Sequence, residues 1–160
     1  MQKCNTELMK ELNALGDEKE KLLNFENANC VVSYLKDEKP VAVDYNFDNT
    51  RKEIERIEME ERKIKQLLAY SNATTKVDGY NMTISEALVY LAQLNNRKRQ
   101  MTYLSDKLPI SRSVVYDKVQ YHKALFDVEV AKSELKELVN EISKLQMAID
   151  RTNLTNMIEC

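Results

Sequence analysis

The sequence predicts an all-α fold: an elongated helical bundle or antiparallel coiled-coil hairpin of about four helices, assembled from more than one copy. Three observations carry this. From Tyr121 to Ile149 the apolar residues Tyr121, Ala124, Val128, Ala131, Leu135, Leu138, Ile142, Leu145 and Ile149 recur every three or four positions, with no Gly or Pro among them. One helix cannot hide its own stripe, so such a seam needs a partner helix. The 160 residues hold only two glycines and two prolines, too few corners for a strand-rich fold. Charged residues make up 31% and are interleaved in sign, which suits the outer faces of long helices.

Taken in order, the first helix is expected over about 5–33, with Leu8, Leu12, Leu15, Leu22, Phe25 and Val32 on its apolar side. Gly16 inside it costs about 1 kcal/mol against Ala, and marks either a close helix contact or a tolerated weak point. A linker over 36–47 follows, because the residue before Pro40 is pushed out of the α region. Asp48 or Asn49 then reads as the N-cap of a second helix over 48–70, whose seam is Ile54, Ile57, Ile64 and Leu68.

The linker over 71–83 contains Asp78-Gly79, a turn signal. Thr83-Ile84-Ser85-Glu86 reads as a capping box, with the hydroxyl on the third amide and the carboxylate reaching back. A third helix is expected over 84–107, paired with the second as a hairpin. Pro109 stops it, a linker over 108–116 follows, where Val114, Val115 and Tyr116 could extend or pack across a helix end, and the fourth helix runs over 117–151. The whole is read as a single helical domain. The projecting seams of the first and fourth helices predict a homo-oligomer, a dimer or larger.

Several classes of function are not expected. The formal net charge of −2 argues against a duplex nucleic-acid binder. No apolar run is long enough to cross a membrane, and the polar start Met1–Glu7 predicts no signal peptide, which gives a cytoplasmic location and no membrane partner. Cys4, Cys30 and Cys160 are far apart and predict free thiols, not a metal site. His122 is the only histidine, and no catalytic set, metal spacing or Gly-rich phosphate loop accompanies it. No catalytic residue, metal or cofactor is expected.

One internal echo stands out. Ser71-Asn72-Ala73-Thr74 and Thr152-Asn153-Leu154-Thr155 both follow a long seam as [Ser/Thr]-Asn-x-Thr. They serve either as helix C-caps or as the lining of one polar site. The ligand-binding candidates are Tyr45, Thr50, Arg51, Asn72, Thr74, Arg97, Arg151, Asn153 and Thr155. Arg presents a planar fork for phosphate, and hydroxyls and amides read sugars and bases. The structural alternatives are an Arg51–Glu55 pair, a solvated face for Arg97, and packing of Tyr45 on the bundle.

The stretches Tyr45–Arg51, Asn72–Thr75, Met82–Leu94 and Ile149–Thr155 resemble a family of small bacterial helical proteins, mostly without assigned function, some of which carry the label septicolysin. The resemblance covers Pro40 to the end and implies an elongated bundle or coiled-coil hairpin. The expected function is a non-catalytic, oligomeric binding protein that captures a small anionic or nucleotide-like ligand at polar helix ends. The alternative is a structural or adaptor protein whose seams bind other helices.

Overall fold

The structure, a computed structural model, describes residues 2–159. It is predominantly helical, with helices α1 (Asn5–Asn29), α2 (Phe47–Thr74), α3 (Ile84–Ser105) and α4 (Val128–Thr155). Four short strands accompany them: β1 (Gln2–Cys4), β2 (Ile110–Val115), β3 (Lys118–Lys123) and β4 (Met157–Glu159). The all-α expectation is therefore right in outline, and two small antiparallel ribbons, β1–β4 and β2–β3, are added to it. The chain divides into two compact units, one from the N-terminus to Asn72 together with the residues from Asn153 onward, the other Ala73–Thr152.

In the first unit α1 and α2 run antiparallel. Each advance along α1 is matched by a retreat along α2: Asn5 meets Asn72, Lys19 meets Glu58, and Glu26 meets Arg51. Between them lie Leu8, Leu15, Ile57 and Ile64, with Leu12, Leu67 and Leu68 packed against that core. The β1–β4 ribbon pairs Gln2 with Glu159 and Cys4 with Met157, and its Ile158 joins the same core. Cross-helix ion pairs such as Lys19–Glu58 lie near solvent and add little.

The second unit repeats the device. Ala87 and Leu94 of α3 pack against Leu138, Leu145 and Ile149 of α4, with Val77 closing the cluster. The Tyr90 hydroxyl hydrogen-bonds the Glu141 carboxylate across the pair. That bond, together with burial, holds the Tyr90 phenol above its ordinary pKa. Before α3, Val77 N–H donates to the Met82 carbonyl at 2.9 Å around Asp78-Gly79, and Gly79 sits at φ +78°, where a side chain would be strained. The Thr83–Glu86 capping box forms as the sequence predicts: Thr83 N–H donates to Glu86 at 2.6 Å and Glu86 N–H to the Thr83 hydroxyl at 3.2 Å.

Several boundaries differ from expectation. Within the units, the buried cores pair α1 with α2 and α3 with α4. α1 ends at Asn29, because Val31 and the residues after it have no core face to join. α2 is capped by Asn46, whose Oδ1 accepts from Asn49 N–H at 2.9 Å, not by Asp48 or Asn49. It continues through Thr74, so the first Asn-x-Thr motif is helical and not a loop.

The largest correction concerns residues 110–127. Tyr121 and Ala124 match the heptad seam but are not helical. Val114, Val115, Val119 and Tyr121 are β-branched or aromatic, and they form the β2–β3 hairpin instead. α4 starts only at Val128, where Asp127 accepts the Glu129 N–H, and it runs to Thr155. Cys4 is buried and Cys30 exposed, both as free thiols; Cys160 lies outside the described residues.

Three outcomes follow from this packing. Ile57 and Leu145 are wholly buried, one in each unit, so Ile57→Ala and Leu145→Ala each cost about 2–5 kcal/mol in urea denaturation. A Cβ on Gly16 would meet nothing within 4 Å, so Gly16→Ala raises stability by roughly 0.5–1 kcal/mol, which excludes a close contact there. The Thr83 amide and hydroxyl hold the Glu86 carboxyl below its ordinary pKa. A carboxyl with a lower pKa folded than unfolded adds stability above the unfolded value, and loses it as pH falls through the folded value. Denaturation curves across the acid range therefore show a shallower loss of stability for Glu86→Gln than for the wild-type chain.

Candidate functional site

The polar residues singled out in the sequence fall into separate groups. The densest lies in the first unit and is built by three elements. Asn5 opens α1, just after Cys4, whose N–H donates to Glu7 at 2.8 Å in the first turn. The Cys4 amide and thiol hold the Glu7 carboxyl below its ordinary pKa. Asn72 lies near the end of α2 and Asn153 near the end of α4. Both converge on Asn5: its Nδ2 donates to Asn153 Oδ1 at 2.9 Å and approaches Asn72 Oδ1 at 3.5 Å. Nearby, Asn156 Nδ2 donates to the Ser71 hydroxyl at 3.2 Å.

Asn5 is 1% exposed, and its Oδ1 has no hydrogen-bond partner among the described residues. Asn72 and Asn153 are half-buried, so the cluster has an inner and an outer side. None of these five side chains ionises in the ordinary pH range. The arrangement can therefore donate and accept hydrogen bonds, but it supplies neither a charge nor a proton-transfer group.

A second group, also in the first unit, joins Tyr45 and Arg51 through Glu26. The Tyr45 hydroxyl donates to Glu26 Oε1 at 2.8 Å, Arg51 pairs with Glu26 Oε2, and the Arg51 guanidinium lies 5.5 Å from the Phe47 ring centre. Arg51 thus pairs with Glu26 of α1, not Glu55. Its Nε is buried without a partner among the described residues. Thr50 is buried and donates to the Asn46 carbonyl at 2.9 Å, a local bond at the helix start.

Arg151 reaches Asp78 Oδ2 at 3.4 Å, and its neighbour Thr152 accepts the Asp78 N–H at 3.0 Å, both within the second unit. Arg97 is exposed on α3, where its charge opposes the upward shift of Tyr90. Thr74 and Thr155 are exposed near the ends of their helices. The structure therefore gathers Asn72 with Asn153, and Tyr45 with Arg51, but not all nine residues. Two grooves among the described residues lie elsewhere. One of about 390 Å³ is lined by Lys63, Gln66, Leu67, Tyr70 and Glu159; another of about 420 Å³ by Leu108, Ile110, Ser111, Arg112 and Tyr121. Neither contains an expected site residue.

Asn5 was not singled out from the sequence. An Asn at a helix start reads as a cap, and nothing local says that it will be buried. No group of three His, Cys, Asp or Glu side chains able to hold a metal occurs among the described residues. No described helix is long and apolar enough to cross a membrane.

Comparison with known proteins places the fold. No family model matches the chain, and no curated protein matches it, so neither supports the septicolysin label. A crystal structure of a conserved protein of unknown function from Corynebacterium diphtheriae is similar at 16% identity and a TM-score of 0.70, covering 99% of this chain and 100% of that one. At that identity the likeness establishes a shared fold and nothing about activity.

Proposed function

We propose that the protein is a non-catalytic binding protein that holds a small polar ligand at Asn5, Asn72 and Asn153. The observation that carries this reading is the buried Oδ1 of Asn5, left without a partner among the described residues. An unpaired buried acceptor costs about 1–3 kcal/mol, and a ligand N–H or O–H placed against it removes that cost. Two further amides on the outer side offer donors and acceptors of the kind that read base edges and sugar hydroxyls.

The chemistry narrows the ligand. The cluster is uncharged, and two of the three arginines expected to bind phosphate already face carboxylates, Arg51 with Glu26 and Arg151 with Asp78. The reading is thus of a nucleoside-like or other neutral, hydroxyl- or amide-rich molecule, with an anionic group contributing little.

A second reading, a structural or adaptor protein that recognises other helices, is favoured by the apolar side chains that α3 and α4 leave in solvent: Leu88, Val89, Val139 and Met147.

Calorimetry and thermal shift with nucleosides, their monophosphates and simple sugars test the first reading. A neutral nucleoside or sugar is expected to raise Tm, the phosphate to change affinity less than tenfold, and Asn153→Ala to weaken binding at least tenfold. Absence of binding at millimolar concentration, together with a gain of stability in Asn5→Leu, would reduce the cluster to a packing feature.

A further inference from the structure

The β2–β3 hairpin is an amphipathic ribbon. Its register pairs Ile110 with Lys123, Arg112 with Tyr121, and Val114 with Val119, and directly paired residues share a face. The opposite face carries Ser111 with His122, Ser113 with Gln120, and Val115 with Lys118. One face is thus apolar with two cations, the other almost wholly polar. That alternation is the pattern of a sheet with one covered side. Yet the apolar side is open: Ile110 is 60% exposed, Val114 71%, Val119 55% and Tyr121 69%.

We infer that this face is where a second copy of the chain docks. The argument is one of complementarity and area. Let a second ribbon lie face to face, related by a two-fold rotation about the ribbon's long axis. β2 then lies over β3 of the second copy. Val114 faces Val119 of the second copy, Arg112 lies over the ring of its Tyr121, and Ile110 packs on the stem of its Lys123. Every contact occurs twice, as a two-fold interface requires. The cations meet an aromatic face and an aliphatic chain instead of one another, and a guanidinium over a tyrosine ring is attractive. The alternative two-fold, with tip over root, stacks Arg112 on Arg112 and is disfavoured by charge. The face offers on the order of 500 Å² per copy, hence on the order of 1,000 Å² in a pair, the size at which an interface becomes specific.

The ribbon contributes no residue to either buried core cluster, so its surface can be changed without unfolding the helices. Light scattering coupled to gel filtration tests the inference at roughly 100 µM and below, where mass action sets the population of pairs. The wild-type chain is expected to run as a dimer or larger. Val114→Glu and Tyr121→Glu are expected to weaken association at least tenfold with unchanged helical circular dichroism. Ser113→Glu and Gln120→Glu, on the opposite face, leave it unchanged. A monomeric wild-type chain overturns the inference, whether or not it sediments with anionic phosphatidylserine vesicles. So does an oligomer that Val114→Glu and Tyr121→Glu both leave intact.

Discussion

Each helix in this chain carries one apolar stripe and cannot bury it alone. The constraint is met by antiparallel pairing inside each unit, α1 against α2 and α3 against α4. The rest is arranged around those two contacts. The residues from Lys76 to Thr83 form a bridged turn, with Lys76 paired to Thr83 and Val77 turned into the core of the second unit. The chain ends are drawn together as β1 and β4, which extend the core of the first unit through Ile158.

An apolar seam specifies contact better than it specifies register. Leu, Ile and Val at heptad spacing pack nearly as well after a slip of one heptad. The asparagines resist that slip. In the observed register Asn5 faces Asn72 and Asn153. Moved along α2 by seven residues it would face the stretch that holds Ile64 and Lys65, and its buried amide would lose both acceptors. A single buried Asn fixes register in coiled coils by the same penalty. This role is compatible with ligand binding, because the donor side of Asn5 is satisfied and its acceptor side is not.

How much of this was legible follows from where each signal resides. The helices were readable because their apolar period is long and repeated, and the Thr83–Glu86 box because its two partners are three residues apart. Pairing is less so: periodicity shows that a stripe needs a partner, not which one, and nothing local in α1 and α2 says that they share a core. The echo of Asn72 and Asn153 pointed to a real convergence, but its centre, Asn5, is distant in sequence and carries no local mark. Tyr45 and Arg51 were rightly grouped, while the carboxylate that joins them, Glu26, was missed because it belongs to another helix.

The ribbon failed to register in the sequence for a more specific reason. Its hairpin turns at Tyr116 and Asp117, both in the left-handed region at φ 50° and 59°. A two-residue turn of this kind is usually announced by Asn-Gly or Asp-Gly, and neither is present. Asp tolerates that conformation; for Tyr it costs about 1–2 kcal/mol. A two-stranded ribbon is marginal in water even without such a cost, and here every side chain but the half-buried Ser111 is exposed. Within the hairpin, its ladder of backbone hydrogen bonds and the Ser113–His122 side-chain hydrogen bond at 2.9 Å work against the strained turn. The second copy we propose would supply a covering from outside the ribbon, and the register, with four apolar side chains on one face and one on the other, names the face it would take.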